Sequence, residues 1–237
     1  FALSEPDSGS DAGSLRTTAD LVGDKYILNG RKFWITHGGY ADVYIVMART
    51  GGPGPRGVSS FLVSKDTPGL SFGKKEEKMG LRASPTVEMI LEDAEIPASN
   101  LIGKEGIGFS VAMSALDSGR ITIGSIAVGL AQAALDNAAE YACIREQFNK
   151  KIINFQGVGF MLADMAIQVE SSRGLVRKAA WLKDQHLPYS SIASMAKCAA
   201  TDAAMSVTTN AVQVFGGYGY TREYPVERYM RDAKVMQ

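Results

Sequence analysis

The chain has 237 residues, of which 46% are hydrophobic and 21% are charged, and its 25 basic residues are balanced by 25 acidic ones. This composition is typical of a globular protein with a sizeable core, built as one large domain or two smaller ones. The zero net charge gives no electrostatic reason to expect binding to nucleic acid or to an anionic membrane, and no uncharged apolar run reaches transmembrane length.

The first part of the chain, residues 1–105, has the pattern of β structure, and Phe1 opens inside what reads as a strand. The segment 25–36 predicts two strands around a hairpin turn at Asn29-Gly30, because this dipeptide favours two-residue turns. Further strands are predicted at 43–48, 58–63, 69–72 and 86–91, the first two joined by the glycine- and proline-rich loop 51–56. Short strands at this spacing predict a small barrel or sandwich.

From Gly106 onward the pattern is helical, and no proline occurs between Pro97 and Pro188. Three long helices are predicted. The apolar face of the first comprises Ile123, Ile126, Leu130, Ala134 and Tyr141, and that of the second comprises Phe160, Ala163, Ile167, Leu175, Ala179 and Leu182. The third is predicted from Ser190 to Phe215, and its high alanine content indicates deep burial or contact with a partner subunit. We therefore expect an α+β multidomain protein with a β domain at 1–105 and an antiparallel helical bundle of the four-helix type at 106–237.

The cysteines and histidines are too few and too scattered for metal or triad chemistry. Cys143 and Cys198 are far apart, which gives neither a CxxC motif nor a disulfide framework and indicates a reducing compartment. His37 and His186 are equally isolated, which argues against a zinc site or a His-based catalytic triad. We expect no metal site.

Two short segments combine hydroxyl groups with glycine or an aromatic side chain: 4–11, which reads Ser-Glu-Pro-Asp-Ser-Gly-Ser-Asp, and 33–36, which reads Phe-Trp-Ile-Thr. Glycine lets backbone N–H groups approach an anion, and Ser or Thr supplies a rotating donor. Tryptophan adds a large apolar plane. The combination suits a flat, partly polar cofactor that carries phosphates, although Ser-Gly-Ser-Asp is also an ordinary turn.

Other motifs each have a simpler structural explanation. The glycines at 103–108 lack the spacing of a dinucleotide fingerprint and favour a hinge and a helix start. Gly216 follows an alanine-rich helix and is first of all a C-cap. Arg145 could grip a pyrophosphate, but cations are common at helix ends. Asp117 and Arg120 are spaced for a local ion pair.

In their order and spacing, these motifs resemble the acyl-CoA dehydrogenase family along the whole chain, most closely its short-chain and branched-chain members. The segments that carry the resemblance are 4–11, 34–36, 79–86, 116–120, 145–150, 155–156, 162–165, 213–219 and 227–233. The resemblance implies a flavin-binding middle domain followed by a C-terminal domain for FAD binding and oligomerisation.

The resemblance implies that FAD is the cofactor and assigns residues to it. Ser4 would hydrogen-bond the polar edge of the flavin, and Thr36 would face its N5 region. The residues implied on the flavin are Phe1, Leu3, Ser4, Gly9 and Ser10 on one side and Trp34, Ile35 and Thr36 on the other. Those implied at the pyrophosphate and adenosine end are Arg145, Phe148 and Gln156, with Gln213, Val214, Phe215, Gly216 and Gly217 from an adjoining subunit.

The resemblance also implies a substrate, a reaction and partners. The acyl-CoA would contact Ser10, Ser84, Asp117, Ser118, Gly119 and Arg120. A carboxylate would remove the α proton of the thioester while the β hydrogen leaves as hydride to the flavin, which forms a trans-2-enoyl-CoA. Electrons would pass to an electron-transferring flavoprotein, and the assembly would be a homotetramer, a dimer of dimers.

The chain departs from the family pattern at the catalytic base. The usual base is a Glu just beyond the Arg-Asp-Ala-Lys motif, which falls after Gln237, and the alternative position is occupied by Gly119. No catalytic residue is therefore assigned within this chain. The family's N-terminal helical domain is also missing, so we expect a chain truncated at both ends. Two smaller departures, Asn149 where Gly is usual and His37 where Asn is common, predict local effects only.

Two alternatives remain open at this point: a flavin oxidase or monooxygenase of the same fold, and a non-catalytic paralogue that keeps FAD. Both the bacterial cytoplasm and the mitochondrial matrix are compatible with the residues present.

Overall fold

The computed structural model describes residues 1–237 and divides the chain into two compact units. The first unit comprises residues 1–78 and 82–115, and the second comprises 79–81 and 116–237. No helix combines the length and the apolar character needed to cross a membrane.

The first unit contains one six-stranded sheet. Its strands are β1 (Thr18–Val22), β2 (Lys25–Thr36), β3 (Val43–Arg49), β4 (Val58–Ser64), β5 (Leu70–Phe72) and β6 (Thr86–Pro97), in the spatial order β4-β3-β1-β2-β6-β5. All neighbours are antiparallel except β1 and β3, which pair in parallel through Thr18 and Arg49. β4 and β5 are the edge strands and are not hydrogen-bonded to each other, so where the sequence predicted a barrel or a sandwich the structure has one open mixed sheet. Large side chains such as Tyr44, Phe61 and Met89 fill its core.

The hairpin predicted at Asn29-Gly30 is wrong, because β2 runs unbroken through both residues. The real turn is Gly23-Asp24, which joins Val22 of β1 to Lys25 of β2. Gly30 has φ +147° and packs so closely that a Cβ there would lie 2.5 Å from Oγ1 of Thr17. The glycine therefore allows a close approach within the sheet. Sequence reasoning missed β1 altogether.

The other strand predictions are confirmed. β3 and β4 form the predicted hairpin, with Arg49 opposite Val58, and β5 and β6 lie at the two remaining predicted segments. The opening segment forms no strand, since Ala2 makes only an isolated bridge to Val46.

The second unit is a bundle of four α-helices, of which the first starts in the first unit. They are α1 (Gly108–Ile144), α2 (Gln156–Asp184), α3 (Ser190–Phe215) and α4 (Val226–Lys234), and a small hairpin of β7 (Glu146–Gln147) and β8 (Lys150–Lys151) follows α1. The start of α1 at the glycine-rich segment and the bounds of α3 are as predicted, while α4 was not predicted. A β domain followed by a helical bundle is confirmed.

The predicted core face of α2 is wrong for most of its length. Phe160 and Ile167 are 65% and 64% exposed, whereas Ala179 is buried as predicted and Leu175 packs against the core. The other buried side chains of α2 are Leu162, Met165, Val169, Ser172 and Val176. Ile126 of α1 is likewise exposed. Because these helices carry apolar residues on more than one side, periodicity could not show which side the bundle buries. The deep burial predicted for α3 is confirmed.

Candidate functional site

The opening segment is held on the sheet of the first unit by main-chain hydrogen bonds. The N–H of Ala2 donates to the carbonyl of Ile45 at 2.7 Å, and the N–H of Met47 donates back to Ala2 at 3.0 Å. The N–H of Phe33 donates to the carbonyl of Ser4 at 2.8 Å. Ser4, which is partly buried, is thereby fixed beside the end of β2.

β2 departs from regular strand geometry where it meets Ser4. Phe33 and Trp34 together oppose the single residue Glu88, since the register runs from Lys32 opposite Met89 to Ile35 opposite Val87. Trp34 adopts φ +62° and is 60% exposed, and its ring contacts Phe33 edge-on at 4.9 Å. This β-bulge turns the indole outward. The Ile35 side chain is buried, whereas Thr36 is exposed.

The remaining residues predicted on the flavin differ in how accessible they are. Leu3 is buried, Phe1 is half exposed, and Gly9 and Ser10 are exposed in a turn. In that turn the Ser8 hydroxyl donates to the Asp11 carbonyl at 2.7 Å. The segment is therefore a hydrogen-bonded turn, and the side chains of Leu3 and Ile35 belong to the core.

A buried ion pair lies directly behind Ser4, and the sequence reasoning missed it. Lys32 and Glu5 are bonded at 2.7 Å, with side chains 0% and 6% exposed. Burial lowers the pKa of Lys32 to about 8, against the effect of the Glu5 carboxylate. Burial also raises the pKa of Glu5, but the charge and hydrogen bond of Lys32 outweigh it and leave that pKa below its ordinary value. The available signal was a lysine in phase with Tyr26 and Leu28, which face the core.

The second unit contains a concavity of about 450 Å³ between the ends of α1 and α3. Its lining residues are Tyr141, Arg145, Gln147, Ile152, Val214, Phe215, Gly216, Gly217, Tyr218 and Thr221. The concavity therefore combines one cation, Arg145, and two glycines, Gly216 and Gly217, with a lining that is otherwise largely aromatic and aliphatic.

Local backbone geometry builds this concavity. α3 ends at Phe215 because Gly216 adopts φ +60°, which confirms the predicted C-cap. Arg145 follows the last turn of α1, and the hairpin after it turns through Phe148 and Asn149, both with positive φ. Asn149 and His37, the two smaller departures from the family pattern, have φ +61° and +57°, and Asn and His adopt this conformation more readily than most side chains.

Aromatic contacts support the wall. The rings of Tyr141 and Phe215 stack at 4.1 Å, and Tyr224 packs against both. The Arg145 guanidinium lies 5.6 Å from the centre of the Tyr218 ring and makes no salt bridge within the chain. Its charge is thus available to an anion.

The structure brings together only some of the residues predicted for the pyrophosphate end. Arg145 and 214–217 of one chain line the same concavity. Phe148 lies at the tip of the hairpin and is 88% exposed, and Gln156 and Gln213 are exposed outside the lining.

The residues predicted for the substrate occur in both units. In the first unit, the carbonyl of Ser84 accepts a hydrogen bond from Lys78 at 2.5 Å. In the second, Asp117 and Arg120 form the predicted ion pair, and the hydroxyls of Ser118 and Tyr189 are 3.3 Å apart. Asp117–Arg120 lies inside α1 and begins about two and a half turns after its first residue, Gly108.

The chain is thus an α+β protein with a mixed sheet in one unit and a helical bundle in the other. The sheet carries an exposed tryptophan beside a serine segment held by hydrogen bonds, and the bundle carries a concavity with one cation. Residues 1–94 match the model of the acyl-CoA dehydrogenase middle domain, and residues 106–237 match that of the acyl-CoA dehydrogenase C-terminal domain. The chain belongs to the acyl-CoA dehydrogenase family.

Individual relatives agree with this assignment. An acyl-CoA dehydrogenase of Bacillus subtilis is 54% identical over 238 residues, which cover 100% of this chain and 63% of the relative. The solved butyryl-CoA dehydrogenase of Megasphaera elsdenii is 49% identical with a TM-score of 0.99, over 100% of this chain and 62% of that one. A structure described as the electron transferring flavoprotein of Acidaminococcus fermentans, in work on flavin-based electron bifurcation, is 54% identical with a TM-score of 0.99, over 100% of this chain and 63% of that one. The chain thus spans less than two thirds of their length.

Proposed function

We propose that the full-length protein is an FAD-dependent acyl-CoA dehydrogenase that converts a short- or branched-chain acyl-CoA to the trans-2-enoyl-CoA and passes electrons to an electron-transferring flavoprotein. The observation that carries this proposal is the match of two consecutive acyl-CoA dehydrogenase domains to almost the whole chain. The relatives described as a butyryl-CoA dehydrogenase and as an electron transferring flavoprotein support the substrate class and the electron acceptor.

The concavity of the second unit fits the pyrophosphate and adenosine end of FAD. Its volume of about 450 Å³ lies within the usual range of small-molecule sites. Arg145 can bind phosphate oxygens through two N–H groups, and at Gly216 and Gly217 no side chain shields the backbone from an anion. The family resemblance implies that 213–217 come from an adjoining subunit, whereas Arg145 and 214–217 of one chain line the same concavity. We therefore propose that Arg145 and 214–217 of one chain form this end together, and that Phe148, Gln156 and Gln213 complete it in the oligomer.

The exposed end of β2 fits the flavin. When bound, FAD supplies the hydride acceptor. Trp34 presents an apolar plane that would exclude water from one side of the ring system. The hydroxyls of Ser4 and Thr36 would donate to its polar edge, and Ile35 would contribute backbone only because its side chain is buried.

The acyl-CoA would be bound by Ser10, Ser84 and the segment 117–120. In that segment the Asp117 carboxylate already orients the Arg120 guanidinium. The proposed base that removes the α proton is a glutamate beyond Gln237, as the family resemblance implies.

We propose a homotetramer, as the family resemblance implies, and exposed apolar side chains on the bundle support association between copies of the chain. They stand on α1, α2 and α3, at Ile126, Phe160, Ile167, Trp181 and Met195. Large exposed apolar groups on several helices would be covered if the bundle packs against other copies of the chain. Two unpaired, exposed cysteines fit a reducing compartment, either a bacterial cytoplasm or a mitochondrial matrix.

The test is an absorbance spectrum of the full-length protein, followed by anaerobic titration with butyryl-CoA and isobutyryl-CoA. We expect a yellow protein whose flavin absorbance is bleached by at least one of them. A colourless protein that cannot be reconstituted with FAD would refute the proposal. Rapid reoxidation by oxygen without a protein acceptor would favour the oxidase, and bound FAD that neither substrate reduces would favour the non-catalytic paralogue.

A matched pair of variants tests the pyrophosphate end. Arg145→Gln removes the only cation of the concavity, and we expect FAD to bind about 10- to 100-fold more weakly, as for the loss of a charged hydrogen bond. Arg177→Gln is the control, since Arg177 is an exposed arginine of α2 outside the concavity. Equal FAD affinity of both variants would contradict the assignment of Arg145.

A further inference from the structure

The buried pair of Lys32 and Glu5 connects the opening segment to β2. The Lys32 ammonium donates to the Leu3 carbonyl at 3.1 Å and to the Glu5 carboxylate at 2.7 Å. The Glu5 carboxylate also accepts hydrogen bonds from the backbone N–H groups of Arg16 and Thr17, at 2.6 and 2.9 Å. One buried charge pair therefore joins three separate stretches of chain.

The bulge in β2 adds a further bond at the same place. Because Phe33 lies in the bulge, its N–H is free to donate to the Ser4 carbonyl at 2.8 Å. The carbonyl of Leu3, the carbonyl of Ser4 and the side chain of Glu5 are thus all held by two consecutive residues of β2. We call this set of bonds, made by Lys32 and Phe33 to residues 3–5, the anchor.

Net stability is a poor explanation for a charge pair at this depth. Removing a lysine and a glutamate from water carries a desolvation cost that their attraction need not offset, and apolar replacements of such pairs are often neutral or stabilising. The pair instead fixes the position of the opening segment, because its hydrogen bonds are short and charge-assisted and so constrain where residues 3–5 can lie. The constrained residue is Ser4, and Trp34 and Thr36 follow two and four residues after Lys32.

We propose that Lys32, together with Glu5, is a positioning residue that fixes Ser4 relative to Trp34 and Thr36. The serine and these two outward-facing residues of β2 can then contact the same flavin. The proposal rests on the proposed function, because the flavin is the ligand of these three residues. Neither Lys32 nor Glu5 touches the flavin, since both side chains are enclosed by protein.

The test is a double-mutant cycle in the full-length protein, with FAD affinity and the flavin spectrum as readouts. Lys32→Met alone leaves the Glu5 carboxylate buried without its partner, so it is combined with Glu5→Gln, which removes the charge and keeps an acceptor oxygen. In the wild-type background Ser4→Ala is expected to weaken FAD binding about fivefold, as for one hydrogen bond. In this combined variant the bonds of Lys32 are lost and only the backbone bond from Phe33 still fixes Ser4, so the same substitution should change the affinity less than about twofold.

The matched control is Lys25→Met. Lys25 is also on β2 and bonds Glu95 at 2.8 Å, but both side chains are about half exposed. In this background Ser4→Ala should retain its full effect. Should the combined variant fail to fold, the cycle is repeated with Lys32→Gln combined with Glu5→Gln, which removes both charges and keeps a hydrogen-bonding group at each position.

Several outcomes separate the two proposals. A wild-type protein that binds no FAD refutes the proposed function. A wild-type protein that binds FAD, with Ser4→Ala equally costly with and without the anchor, overturns the positioning role alone. A folded anchor-deficient variant with wild-type FAD affinity and spectrum does the same, even where its unfolding temperature has changed.

Discussion

The segment Met79–Leu81 packs on α4, and Gly80→Ala should break this contact. A Cβ at Gly80 would lie 2.3 Å from the carbonyl oxygen of Arg231 and 2.7 Å from the backbone N of Asp232, both of which are helix backbone and cannot rotate away. Two hydrogen bonds depend on the same approach: Leu81 N–H to the Asp232 carboxylate at 2.6 Å, and the Arg231 guanidinium to the Met79 carbonyl at 2.9 Å.

The expected cost follows from these contacts. Overpacking costs about 1–3 kcal/mol, and a hydrogen bond to a charged group contributes about 1.5–3 kcal/mol where it is lost outright. Since the segment can relieve the clash by lifting, with partial loss of the bonds, we expect the free energy of unfolding to fall by about 2–4 kcal/mol. The assay is urea unfolding followed by helical circular dichroism.

The matched control is Gly174→Ala. Gly174 is an exposed glycine within α2, and a Cβ there would meet nothing within 4 Å. Alanine should therefore stabilise the helix by about 0.5–1 kcal/mol. A Gly80→Ala protein that loses less than about 0.5 kcal/mol would refute the reasoning, because it would mean that the segment does not pack tightly on α4.

Three further predictions concern single side chains. A hydrogen bond to the Glu105 carboxylate, together with burial, raises the pKa of Tyr26 to about 12. The stabilising effect of this bond is therefore complete below pH 10 and is lost as the pH rises through 12. Tyr26→Phe should abolish this alkaline loss of stability in unfolding experiments. The hydrogen bond from Arg231 lowers the pKa of Glu227. The pair therefore stabilises α4 fully at a pH above the ordinary glutamate pKa, and this stabilisation is lost as the pH falls through the lowered pKa. Glu227→Gln should lower the free energy of unfolding, measured with urea, by about 0.5 kcal/mol at neutral pH and leave it unchanged in acid. Asn149 has φ +61°, so Asn149→Ala should cost about 1–2 kcal/mol and Asn149→Gly none, and equal unfolding temperatures for both would contradict the left-handed turn.

Elements whose signals are local were predicted well. α3 was placed from Ser190 to Phe215 because alanine favours helix throughout and a glycine ends it. The hairpin of β3 and β4 follows from two apolar runs around a glycine- and proline-rich loop. The turn predicted at Asn29-Gly30 was wrong because a glycine permits positive φ in more than one structural setting. Here the conformation allows a close approach of Gly30 to Thr17.

Residue types and spacing were sufficient for the family, for a sheet followed by helices, and for the candidate roles of Arg145 and of the glycines after α3. Only the tertiary structure decided which apolar side of α2 is buried, that Gly216 and Gly217 share a concavity with Arg145, and that Lys32 is enclosed with Glu5 behind Ser4. The reason is physical: helix and turn preferences act over a few neighbouring residues, whereas burial and charge pairing depend on groups that are distant in sequence and meet only when the chain is folded.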